Sequence, residues 1–265
     1  MSNAASWWRT LLADDRDGAR LIVEHIEALA TIKEASVQRN LLKELVRDFV
    51  SLEARVDSLL NNTLPPSVAE EVKLRGRFEP RQYNCSILFT DLVRFTALAE
   101  VLRPDQLLHI LDRLFSSFDE LTERHGGTKV KTIGDAYMAV FGAPEALEDH
   151  ASQAVACGLA MVRLLDEFTA DPAVDLGLRV GIHSGDVIAG VVGRDRMQFD
   201  VFGDAVNLAA RLETAGQVGR VNVSDATRSL AGVGFNYEDR GRIPIKNKAP
   251  TGAHFVIGAR REDQP

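Results

Sequence analysis

The sequence predicts an α+β domain: a mixed, mostly antiparallel sheet flanked by helices, preceded by an N-terminal helical coiled-coil segment. Three observations predict it. Beyond about residue 82, short apolar runs with strand character alternate with longer runs of helical period. Several of these strands are joined by tight glycine turns, as in "KTIGDAYMAVFG" at 131–142, which makes neighbours antiparallel. No glycine-rich turn follows the first strand, which separates the domain from doubly wound nucleotide folds.

Residues 15–60 read as helix, being rich in Leu, Glu, Lys, Arg and Ala, without proline and with one early glycine, Gly18. Leu42, Leu45, Phe49, Leu52, Val56 and Leu59 recur at spacings of three and four, a seam suited to a second helix. The seam is short, so packing on its own domain is the alternative to pairing with a second copy. Pro65 and Pro66 end this helix, and Ser67 is expected to cap a short new one. The chain divides into a helical region at 1–62 with its coiled coil at 42–59, a transducer or linker at 63–81, and the α+β domain at 82–262.

Within that domain, residues 85–92 form a strand and 104–125 a helix. A hairpin follows at 125–144, then a long helix at 146–168 with Ala151, Ala154, Val155, Gly158, Leu159, Val162 and Leu165 on one face. "LGLRVGIHSGDVIAGVVG" reads as strand, turn and strand. A helix at 204–214 precedes short strands at 220–223, 235–239 and 254–257.

With 265 residues, 45% of them hydrophobic, the chain can bury a sizeable core. A net charge of −7 and the lack of a basic stripe argue against a nucleic-acid partner. Cys85 and Cys157 lie in apolar runs and read as small buried hydrophobes in a reducing compartment. No run is long and apolar enough to span a membrane, and the N-terminus lacks the pattern of a secretory signal. A cytoplasmic location is expected.

The residues that invite chemistry are charged groups beside glycines and strand ends. Asp91 ends the first strand and Asp135 opens the second strand of the hairpin. Such carboxylates bind divalent ions, although each also suits an ordinary cap or turn. Lys131 and Asp200, taken singly, read as a solvated strand lysine and a turn residue before Gly203. Asn207 and Arg211 lie four apart and share a helix face. His183 reads as a structural strand-end histidine.

"FTDLVRFT", "KTIGDAYMAVFG", "RVGIHSGDVIAGVVG", "FDVFGDAVNLAARLE" and "IKNKAP" occur in this order. Together they resemble the class III nucleotidyl cyclases over about residues 82–259, and five ordered motifs are far more specific than one glycine loop. The resemblance implies a ferredoxin-like, palm-type catalytic domain that converts a nucleoside triphosphate to its cyclic monophosphate and pyrophosphate. It implies that Asp91, Asp135 and the backbone carbonyl of Leu92 hold two divalent ions, Mg²⁺ or Mn²⁺, for a two-metal in-line displacement by the ribose 3′-hydroxyl. Backbone amides of residues 93–96, including Phe95 and Thr96, would cradle phosphate. Arg94 stands where many relatives have glycine.

By the same resemblance, Lys131 and Asp200 read the purine. A carboxylate accepts from the adenine N6 amino group and an ammonium donates to N1, which points to ATP. Relatives preferring GTP typically carry Glu and Cys there. Asn207 and Arg211 would orient the ribose and stabilise charge at the α-phosphate. Lys246 and Arg179 would contact the triphosphate, with Lys248 the alternative to Lys246. In the family the metal aspartates come from one subunit and the purine pair, Asn, Arg and Lys from the other. The expected state is therefore a homodimer with two shared sites. The N-terminal helices would transmit a signal from an upstream sensor domain or regulatory partner. The expected activity is adenylate cyclase. The alternatives are guanylate cyclase, or a non-catalytic cyclase-like dimer that binds a nucleotide or a partner.

Overall fold

The computed structural model describes residues 34–169, 175–193, 196–244 and 249–260. The chain divides into two compact units, Met1–Asn62 and Thr63–Pro265.

In the first unit the described part is helix α1 (Ala35–Asn61). Leu42, Leu52 and Val56 of the predicted seam are exposed on it. The expected helix over residues 15–33 lies outside the described residues.

The second unit opens with α2 (Pro66–Arg75). Ser67 is not its cap: Pro65 occupies that position and Pro66 begins the helix, where its fixed φ suits the first turn and its missing N–H is no loss. Gly76, at φ 75°, ends it. The elements that follow are β1 (Arg81–Val93), α3 (Phe95–Val101), α4 (Pro104–Arg124), β2 (Gly127–Ile133), β3 (Ala136–Phe141) and α5 (His150–Phe168). Then come β4 (Gly177–Val192), β5 (Gln198–Phe202), α6 (Asp204–Thr214), β6 (Arg220–Ser224), α7 (Asp225–Ala231), β7 (Phe235–Ile243) and β8 (Thr251–Ala259).

Among the described residues, eight strands form one sheet ordered β2-β3-β1-β4-β6-β8-β7, with β5 paired to β4. The β4–β6 pair is parallel and the other pairs are antiparallel. One face is covered by α4 and α5, whose Leu114, Phe118, Ala154, Cys157 and Met161 pack on Leu88, Tyr137, Val180 and Ile182. On α6, Leu208 and Leu212 pack with Ile243 and Ala253 in a second cluster. Each layer thus buries an apolar helix stripe on alternate strand residues.

The structure differs from the sequence reading in several elements. The segment read as strand, turn and strand is one continuous strand, β4, sixteen residues long. Ser184-Gly185 does not turn, because β1 pairs along it from Arg81↔Ala189 to Val93↔Gly177 and holds the backbone extended. The long helix begins at His150 rather than at 146. α3, β5 and α7 are additional elements. Both cysteines are free and buried, and burial pushes each thiol up to about 12.

Candidate active site

β1 lies between β3 and β4, so Asp91 stands opposite Ala136 on one side and Arg179 on the other. The hairpin closes through Gly134-Asp135, with Gly134 at φ 64°, where a residue without Cβ is least strained. This turn puts Asp135 next to Ala136 and so beside Asp91. Asp135 is pushed above the usual carboxylate range by burial and by the charge of Asp91, with Arg179 opposing. The side chain of Leu92 is buried in the core, leaving only its backbone to serve a site.

Arg179 Nη2 donates to Asp91 Oδ2 at 2.5 Å. Its Nε lies 2.9 Å from Glu213 Oε1 on α6. Neither of those two atoms counts as hydrogen-bonded, so this second contact is charge attraction with a poorly directed N–H. Burial works against the Arg179 charge, but Glu213 and Asp91 outweigh it and hold its pKa above the ordinary value. For Glu213 the balance goes the other way, and burial raises it despite Arg179.

Lys131 and Asp200 form a separate pair. Lys131 Nζ donates to Asp200 Oδ2 at 2.5 Å, and both side chains are partly buried. Asp200 Oδ1 also accepts from the Val201 amide at 2.9 Å. The β2–β3 register shifts between Lys129 and Lys131. In a regular strand these two side chains would share a face. At the bulge they part: Lys129 reaches Asp119 on α4 at 2.7 Å, and Lys131 reaches Asp200 on β5. The lysine and aspartate of "KTIGD" therefore serve different groups and do not neutralise one another.

Asn207 is exposed on α6, and Arg211 one turn later is half-buried. Arg211 Nη1 is buried and has no hydrogen-bond partner among the described residues. Such a donor favours a ligand acceptor.

Phe95 and Thr96 open α3, whose cap position, Arg94, has φ 69°. A left-handed backbone explains why glycine would be favoured there. The Arg94 side chain is held by Asp175 at 2.8 Å. Lys246 and Lys248 lie outside the described residues. His183 lies within β4 rather than at a strand end, because the strand runs unbroken past Ser184-Gly185, and its Nδ1 hydrogen-bonds Ser224 Oγ at 2.7 Å. Glu213 is the group to which the sequence reading assigned no role. Its position as the one acid of "VNLAARLE", two residues after Arg211, was the available signal.

As a donor set, Asp91 and Asp135 could offer two hard carboxylate oxygens whose like charges repel one another. This suits Mg²⁺ or Mn²⁺, which complete their coordination with water and substrate oxygens. Among the described residues no larger cluster of His, Cys, Asp or Glu gathers.

Comparison with known proteins shows the family. Residues 78–258 match the family described as the adenylate and guanylate cyclase catalytic domain. An adenylate cyclase of Mycobacterium tuberculosis is 37% identical over 229 residues, covering 84% of this chain and 52% of that protein. The rat guanylate cyclase soluble subunit beta-2 is 37% identical over 251 residues, covering 89% of this chain and 36% of that subunit. Among solved structures, the adenylyl cyclase CyaB of P. aeruginosa superposes with a TM-score of 0.65 at 30% identity, covering 69% of this chain and 98% of that one. The chain thus spans about half the length of its mycobacterial relative. It belongs to the class III nucleotidyl cyclase family, through a catalytic domain that fills most of its second unit.

Proposed function

We propose that this chain is an adenylate cyclase that makes 3′,5′-cyclic AMP and pyrophosphate from ATP at sites shared between two copies. The observation that carries the choice of base is the Lys131–Asp200 pair, partly buried and closed at 2.5 Å. With adenine, Asp200 accepts from N6 and Lys131 donates to N1. Guanine presents an acceptor to the carboxylate and a donor to the ammonium. Each mismatched polar group then loses its partner at a cost of roughly 1–3 kcal/mol.

Asp91 and Asp135, with the Leu92 carbonyl, would hold the divalent ions. When bound, these neutralise phosphate charge and lower the pKa of the 3′-hydroxyl. Arg211 meets the charge that builds at the α-phosphate, and its planar guanidinium suits this better than an ammonium. Asn207 orients the ribose. Arg179 and Lys246 grip the outer phosphates, beside the amides of Phe95 and Thr96. The new bond joins O3′ to the α-phosphorus, the bond from that phosphorus to the bridging oxygen breaks to expel pyrophosphate, and the hydroxyl proton passes to water.

Two ion-paired groups within one chain, Lys131–Asp200 and Asp91–Arg179–Glu213, share no member. By the resemblance to the cyclases, the purine-reading half of one copy completes the carboxylate half of the other in a homodimer. On this reading residues 42–59 pair the copies, and residues 63–81 transmit a signal from a sensor or regulatory partner.

The test is product formation by the purified chain with Mn²⁺ and equal ATP or GTP. Cyclic AMP should exceed cyclic GMP by about tenfold or more, from the loss of one matched hydrogen bond. Cyclic GMP as the main product would overturn the base assignment. No product from either would favour the non-catalytic alternative.

A further inference from the structure

We infer that Glu213 is a positioning residue that sets how strongly Arg179 competes with a divalent cation for Asp91. The inference rests on the reading of Asp91 as a cation ligand. Arg179 Nη2 already claims Asp91 Oδ2, so the guanidinium and a cation seek the same carboxylate. Glu213, on the other flank of the guanidinium, shares its charge through Nε at 2.9 Å. Opposite charges this close, half out of water, attract strongly enough to shift that competition.

Glu213 is built to stay where it is. Its side chain is 11% exposed. Thr214 Oγ1 donates to its Oε2 at 3.2 Å. Asn222 Nδ2 donates to the carbonyl of Leu212 at 2.7 Å and ties the end of α6 to β6. At Gly181 of β4 an added Cβ would fall on the Glu213 backbone nitrogen, so helix and strand touch backbone to backbone. A carboxylate on so fixed a support cannot follow Arg179, and it therefore defines where the guanidinium rests. Without its charge Arg179 has one carboxylate partner left and binds Asp91 more tightly, which penalises a cation there.

The experiment titrates the full chain with Mn²⁺ in the absence of nucleotide and reads free Mn²⁺ by electron paramagnetic resonance. Glu213→Gln should weaken Mn²⁺ binding by roughly five- to tenfold, the scale of coupling between directly contacting groups. Arg179→Met should tighten binding, and the double variant should follow Arg179→Met. If Glu213→Gln fails to fold, Glu213→Asp, which retracts the charge by one methylene, should shift binding in the same direction by less. An unchanged Mn²⁺ curve in a folded Glu213 variant overturns the inference, even with a lowered melting temperature. So does an equal shift with and without Arg179, which would mean a general field effect. Asp91→Asn should abolish the site. If it does not, the reading of Asp91 fails and the inference falls with it, an outcome distinct from the other two.

Discussion

At Arg94 the backbone carries strain. Its φ of 69° places an L-residue in the left-handed region beside the amides assigned to phosphate. Its ion pair with Asp175 is largely exposed and offsets little. Arg94→Gly should therefore raise stability by up to about 1 kcal/mol, read as a higher denaturation midpoint. His150 makes a second prediction. It is buried, hydrogen-bonded through Nδ1 to Ser86 Oγ at 2.8 Å, and burial lowers its pKa from 6.5. The folded state keeps the ring neutral while the unfolded chain takes up a proton. This contribution is complete above about pH 6.5 and is lost as pH falls towards the lower folded value. Melting temperatures between about pH 7.5 and 5.5 should decline, and His150→Asn should flatten that decline. At this scale the base-reading pair also has its test. Lys131→Glu with Asp200→Cys should cut cyclic AMP formation at least tenfold, by roughly the cost of one unmatched group, while the unfolding midpoint changes little. An unchanged rate would remove both residues from base recognition.

Elements decide where those residues act. α6 carries Asn207 and Arg211 on one face and Glu213 near its end, so its seat on the sheet matters to every group on it. That seat depends on Gly181, where a Cβ would lie 2.0 Å from the Glu213 backbone nitrogen. Gly181→Ala should force helix and strand apart, destabilising by roughly 1–3 kcal/mol. It should also weaken Mn²⁺ binding, because Glu213 would move with α6. A denaturation curve alongside the Mn²⁺ titration checks both. The bulge in β2 works in the same way: one extra residue sends Lys131 to β5 while Lys129 holds α4.

At the scale of the whole molecule the proposal is one of complementation. If each site draws Asp91 from one copy and Arg211 from the other, Asp91→Ala and Arg211→Ala are each inactive. Mixed in equal amounts with exchange of chains, they should recover at most about a quarter of the wild-type rate. Half the dimers would be mixed, and each of those has one intact site of two. No recovery in confirmed mixed dimers would sink the shared site. Among the described residues no helix is long and apolar enough to cross a membrane.

Sequence alone determined the class of fold, the order of its main elements and the local spacings that carry the motifs. The turn at Gly134-Asp135 and the one-turn spacing of Asn207 and Arg211 are set by near neighbours in the chain, so periodicity and turn chemistry could reveal them. Only the tertiary structure decided that β4 runs unbroken past Ser184-Gly185, that Lys131 meets Asp200, and that Arg179 stands between Asp91 and Glu213. Those contacts join residues 69 and 88 positions apart for Lys131–Asp200 and Asp91–Arg179. They depend on strand register, where a slip of one residue turns every side chain to the opposite face, and no local pattern encodes that choice.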